Sequence, residues 1–134
     1  MKLILCIDKS GGMLFNSRRQ SQDSLLREKI LSLLGGKKLC LNEYSARQFE
    51  DTSPLYISED FLLQAGKEDF CFVENTEIPE NAVDAVYLFH WNRAYPADTY
   101  FTMELKTNFK KVHTEHFEGS SHKKITLEIY ERRG

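Results

Sequence analysis

The chain lacks any apolar run long enough to cross a bilayer. Its first apolar stretch, residues 3–7, is short and stops at Asp8 and Lys9, which argues against a secretory signal. An excess of one charge is missing too. Eighteen Lys and Arg face 20 Asp and Glu, a formal net charge of -2. That balance argues against a general nucleic-acid or anionic-membrane binder. Basic pairs do occur, at Arg18-Arg19, Lys37-Lys38, Lys110-Lys111, Lys123-Lys124 and Arg132-Arg133. Scattered among the acids, they describe a mixed, solvated surface. Cysteine is scarce, and Cys6, Cys40 and Cys71 all lie inside apolar, strand-like runs. An odd count without an export signal points to reduced, buried thiols in the cytoplasm. None of the three has the electropositive, accessible setting of a catalytic thiol. Internal repeats and low-complexity segments are absent.

What is present is a chain of 134 residues, 41% apolar and 28% charged, long enough to bury a core as one domain spanning 1–134. Residues 3–7, in a strand read as Lys2–Ile7, are unbroken apolar, which predicts a strand buried on both faces and therefore central. Residues 9–22 read as a polar loop carrying Gly11-Gly12. Leu26, Ile30, Leu33 and Leu34 have helical spacing over residues 23–34, with Ser21 or Asp23 able to cap the start and Gly35-Gly36 ending it. Residues 38–41, 54–57 and 70–73 read as short strands. Asn42 or Ser45 opens a brief helix, and Ser58 caps another over residues 59–65. Residues 83–91 form an apolar strand. Residues 109–118 and 123–132 alternate around Gly119-Ser120-Ser121 as a terminal antiparallel hairpin. Strands alternating with helices, then a hairpin, mean a mostly parallel α/β sheet with an antiparallel edge.

This order of pieces resembles dihydrofolate reductase, cut down. The opening strand, glycine-containing loop and helix with an acid at its start match the family's first unit, with Asp23 where the resemblance puts the catalytic acid. Gly36-Lys37-Lys38-Leu39-Cys40-Leu41-Asn42-Glu43-Tyr44-Ser45 resembles the second strand and the turn into the next helix. Ser58-Glu59-Asp60-Phe61-Leu62-Leu63-Gln64-Ala65-Gly66 resembles the next helix. Val86-Tyr87-Leu88-Phe89-His90, Ala97-Asp98-Thr99-Tyr100-Phe101 and the run from Phe109 to Ile129-Tyr130-Glu131-Arg132-Arg133 resemble the last three strands. The resemblance implies a three-layer fold of about seven strands and about three helices, and, for an enzyme, an NADPH-dependent oxidoreductase as first candidate.

The departures bear on function. The family has two adjacent glycines after the strand matched by residues 70–73, where backbone approaches the cofactor pyrophosphate. Here that position is Glu74-Asn75. The family's basic residue after its second strand is replaced by Asn42-Glu43. Two acids at two phosphate contacts argue against NADPH as a cofactor. Arg27, four residues after Asp23, is expected on the same helical face, holding that carboxyl ionised.

The candidate catalytic residue is Asp23. The candidate ligand-binding residues are Arg18, Arg19, Gln20, Arg27, Asn42, Glu43, Asn92 and Arg93, and no metal ligand is expected. Each has a plain structural alternative: helix caps for Asp23 and Asn42, an Asp23–Arg27 surface pair, a solvated loop for Arg18 and Arg19. The first functional reading is a divergent, non-reductase member. It binds a small anionic or nucleotide-like ligand, or a macromolecule, where Arg18, Arg19, Asp23 and Arg27 converge in a net positive cleft. The second is a folate or pteridine reductase with altered cofactor contacts. The third is RNA processing of the ribonuclease Z kind. That metal site resembles clustered His-x-His-x-Asp-His, whereas His90, His113, His116 and His122 form no such cluster. His113 and His116 also point to opposite faces of their strand.

Overall fold

The first strand, β1 (Lys2–Ile7), lies mid-sheet as its unbroken apolar character requires. The computed structural model describes residues 1–134. After β1 come β2 (Gly12–Phe15), β3 (Arg18–Arg19), α1 (Ser24–Ser32), β4 (Leu39–Leu41), α2 (Glu43–Ala46), β5 (Leu55–Ile57) and α3 (Phe61–Gln64). The chain continues with β6 (Phe70–Phe72), β7 (Ala85–His90), β8 (Thr99–Tyr100), β9 (Phe109–Phe117) and β10 (Ile125–Arg132). Seven strands form the main sheet in the order β5-β4-β6-β1-β7-β10-β9. β1 runs parallel to β6 and β7, with Leu3 opposite both Cys71 and Val86. The terminal hairpin β9–β10 closes one edge antiparallel to β7.

Side chains of β1 alternate between two cores. Leu3, Leu5 and Ile7 pack with Phe61 and Leu62 of α3 and with Val86, Leu88 and Met103. Ile4 packs on the other face with Leu26, Ile30 and Leu34, the buried stripe of α1 and its C-terminal turn. Leu3, Ile4 and Leu5 are all 0% exposed. Each contributes about 1.5–3 kcal/mol by leaving water. The result is the expected α/β sandwich of helices on both faces of a mostly parallel sheet.

One expectation fails. Residues 9–22 are not a plain loop, because β2 and β3 form a hairpin that pairs onward to β8 as a second, three-stranded sheet. Asn16 and Ser17 turn it with φ of 51° and 61°, the two-residue geometry that suits the twist of a hairpin. Leu14 is its one deeply buried side chain, 4% exposed. Strands of four and two residues carry too little alternation to be legible beside polar neighbours. α2 and α3 are also single turns of four residues, α3 shorter than the helix expected over residues 59–65. No helix is long and apolar enough to cross a membrane.

Candidate functional site

The carboxyl end of β1 is fastened by Asp8, which is 2% exposed. Its Oδ1 accepts from the Ser10 and Gly12 amides at 2.8 Å each, and its Oδ2 from Gln20 Nε2 at 3.0 Å and the Tyr95 amide at 3.2 Å. Burial pushes the Asp8 carboxyl up, but the bonds from Gly12, Ser10, Tyr95 and Gln20 outweigh it and hold it below its ordinary value. Gly12 is needed for this closeness: a Cβ there would lie 2.5 Å from Ala97 Cβ and 2.7 Å from Gln20 Nε2. The hairpin and residues 92–96 are thus drawn over the strand end.

Asp23 is the N-cap of α1 and its side chain is 0% exposed. Oδ1 accepts from the amides of Leu25, Leu26 and Ser120 at 3.0, 3.1 and 2.9 Å. Oδ2 accepts from the Ser121 amide at 2.9 Å, Ser121 Oγ at 3.2 Å and His122 Nδ1 at 3.0 Å. The turn between β9 and β10 therefore folds directly onto the start of α1. Gly119 permits the approach, since a Cβ there would collide with the Asp23 carboxylate. Burial raises the Asp23 carboxyl, and the bonds from Ser121, Ser120, His122 and Leu26 overcome it, leaving the group well below the usual carboxylate range. The expected ionised state is present, but Arg27 is not its cause. Arg27 Nη1 donates to Gln22 Oε1 at 3.3 Å instead. An N-cap side chain turns back to its own helix's first amides, away from the face four residues on.

Arg19 is likewise engaged. Its guanidinium donates to both oxygens of Glu74 at 2.9 Å, and sits 4.6 Å from the centre of the Tyr44 ring. Glu74 also accepts from Ser45 Oγ at 2.8 Å and Gln48 Nε2 at 3.2 Å. The hydrogen bond to Glu74, opposed by burial, raises the Arg19 value. Arg19 and Glu74 side chains are only 17% and 11% exposed, so the pair latches the hairpin to the end of β6. The carboxylate after β6 thus has its own cation.

Arg19, Gln20, Asp23 and Arg27 do meet around one cavity, with Cys6, Phe72 and Trp91. Its free volume is about 20 Å³, room for a water molecule. The net positive cleft expected from these residues is not formed, because Arg19 is neutralised by Glu74 and Arg18 lies elsewhere. Burial and the Glu74 carboxylate push the Cys6 thiol up, so it is no nucleophile. Arg18 instead lines a larger groove, about 510 Å³, with Phe15, Asn16, Arg19, Gln20, Tyr95 and Pro96. On the far side of the hairpin, a groove of about 300 Å³ holds Glu74, Glu77 and Glu80 together with Asn75 and Thr76.

The remaining candidates are apart from these. Asn42 caps α2 through the Ser45 amide at 3.0 Å and donates to Asn75 Oδ1 at 2.8 Å. Glu43 lies 3.9 Å from Arg47 in an exposed pair. Asn92, at φ 61°, donates to Thr126 Oγ1 at 2.9 Å and the Lys124 carbonyl at 3.2 Å, bracing β10. Arg93 is exposed, and its carbonyl accepts the Lys9 amide at 2.9 Å. His113 bonds Glu115 while His116 bonds Thr126. No group of three or more His, Cys, Asp and Glu side chains is placed to hold a metal.

No family model and no curated protein matches the sequence. Among solved structures, a dihydrofolate reductase from Enterococcus faecalis, complexed with NADP(H) and RAB-propyl, superposes with a TM-score of 0.68. The match covers 99% of this chain and 96% of that chain at 13% sequence identity. The chain has the dihydrofolate reductase fold. It is a divergent example, and the position at which the resemblance puts the family's catalytic acid, Asp23, is sealed under the β9–β10 turn. His122, Ser120 and Ser121 are the partners that sequence reasoning missed. They lie about a hundred residues away from Asp23 along the chain, and the Gly119-Ser120-Ser121-His122 string was the only signal available.

Proposed function

We propose that this dihydrofolate reductase-fold chain binds a small anionic, nucleotide-like ligand in the groove beside Arg18, and does not reduce folate with NADPH. The observation that carries the reading is the groove itself. Its lining holds the free guanidinium of Arg18 and no carboxylate, Arg19 being held by Glu74, in a chain that is net negative overall. Arg18 is exposed and pairs with no acid, so its donors are free for a bidentate contact to phosphate. Phe15, 43% exposed, and Tyr95 flank it as surfaces on which a planar base stacks.

Three features argue against a reductase. The cavity beside Asp23 has about 20 Å³ of space, against several hundred Å³ for a typical small-molecule site. The Asp23 carboxylate already accepts six hydrogen bonds and has no surface to present to a substrate. Where the resemblance puts the family's cofactor pyrophosphate, the chain has Glu74-Asn75; Glu77 and Glu80 line the same groove, and only a three-residue 3-10 turn, Glu80–Ala82, follows in place of a helix N-terminus. These residues do not fit NADPH.

Titration calorimetry with adenosine monophosphate at low salt tests the reading. The parent binds, and Arg18→Ala weakens binding about tenfold, roughly 1.4 kcal/mol, at an unchanged melting temperature. Absence of any heat with this nucleotide and with pyrophosphate would refute it.

A further inference from the structure

The Asp23 lock contains an arrangement that neither helix capping nor the Arg18 groove requires. His122 Nε2 lies 3.1 Å from Ser21 Oγ, while Nδ1 of the same ring lies 3.0 Å from Asp23 Oδ2. A hydroxyl, an imidazole and a carboxylate in this order are the parts of an activated serine. We propose that Ser21 is a nucleophile towards short, activated acyl esters, with His122 as its general base and Asp23 as the residue that positions the ring.

The atoms support each role. An ionised carboxylate only accepts, so the proton on the Asp23 side of the ring belongs to His122 Nδ1. A neutral imidazole then presents its lone pair at Nε2, towards Ser21. The ring is 4% exposed and stacks on Trp91, with centroids 4.5 Å apart and planes at 28°, which fixes its orientation. Tyr95 competes for the same lone pair, with its hydroxyl 3.0 Å from Nε2. It also reaches Ser21 Oγ at 3.5 Å, and donating there leaves the serine proton free to bond Nε2. Ser21 is half-buried at the edge of the cavity of about 20 Å³, which leaves its side chain partly open to solvent and to a short acyl group.

The chemistry balances with water as the only co-reactant. Ser21 Oγ attacks the ester carbonyl carbon as its proton passes to His122 Nε2. The bond to the leaving alcohol breaks, and His122 returns the proton to that oxygen. Water then attacks the acyl-Ser21 ester, gives a proton to His122, and releases the carboxylic acid as the serine is restored.

The proposal is independent of ligand binding at Arg18, because its probes carry no anion. The full chain is treated with p-nitrophenyl acetate, and separately with a fluorophosphonate, then digested and mapped by mass spectrometry. Label is expected on Ser21, with p-nitrophenol release about a hundredfold slower in Ser21→Ala, a typical effect of losing an assisted proton transfer. Asp23→Asn is expected to lower kcat for p-nitrophenyl acetate with KM little changed, the readout of a positioning role. Should Asp23→Asn fail to fold, Ser21→Ala and the label map still decide. Label confined to lysines or other serines, no label from either reagent, or unchanged hydrolysis in folded Ser21→Ala would overturn the proposal.

Discussion

Asp23→Asn keeps the shape of the side chain and removes its charge. The amide oxygen still accepts from Leu25, Leu26 and Ser120, so the helix cap survives. The new NH2 group faces the Ser121 amide, Ser121 Oγ and His122 Nδ1, three partners now without an acceptor. A hydrogen bond to a charged group contributes about 1.5–3 kcal/mol. Three lost bonds would sum higher, but His122 can shift its proton to Nε2 and accept from the new amide, and Ser121 Oγ retains the Gln22 carbonyl at 3.0 Å. The net loss is expected at about 3–5 kcal/mol, roughly two such hydrogen bonds. Urea unfolding followed through Trp91, the only tryptophan, reports it directly, because that ring stacks on His122. The pH dependence supplies a second readout. The folded Asp23 value is depressed, so below the ordinary aspartate value of about 3.9 the unfolded chain takes up a proton that the folded chain refuses. Asp23 therefore stabilises the fold fully above that pH, and its contribution drains away as pH falls towards the folded value. Asp23→Asn should remove that part of the acid dependence. A loss below about 1 kcal/mol with the acid limb unchanged would refute the lock.

Other substitutions separate the remaining elements. Arg19→Ala strands Glu74 at 11% exposure and should cost about 2–3 kcal/mol in urea, unlike Arg18→Ala. Gly119→Ala drives a Cβ into the Asp23 carboxylate and to within 2.8 Å of Ile125 Cδ1, and should lower the melting temperature by roughly 5–10 °C for a loss near 2 kcal/mol. Ser17→Gly relieves a non-glycine residue held at φ 61° and should stabilise the hairpin by about 0.5–1 kcal/mol, seen as a raised melting temperature.

The frame was legible because it rests on long one-dimensional signals. The unbroken apolar run of β1 placed it between β6 and β7, and the alternating tails gave β9 and β10. The hairpin of β2 and β3 was not legible, because its register depends on β8 more than eighty residues on. The site failed for a similar reason. Helical spacing put Arg27 beside Asp23, but capping geometry turned the carboxylate towards Ser121 and His122 instead. Arg19 read as a free cation because Glu74, its partner, lies at the end of another strand. Polar side chains find partners by topology, and local sequence carries little trace of a partner brought in by a crossover.

The central claim is that the cleft under Asp23 is closed and that recognition has moved to the groove at Arg18. Backbone amide chemical-shift mapping tests it most directly, with adenosine monophosphate and NADPH titrated separately into the labelled protein. The nucleotide is expected to shift resonances of Phe15, Arg18, Gln20 and Tyr95, and NADPH to leave Cys6, Leu26, Phe72 and Trp91 unmoved. Saturable NADPH shifts at Cys6, Phe72 and Glu74, with no response at Arg18, would contradict it.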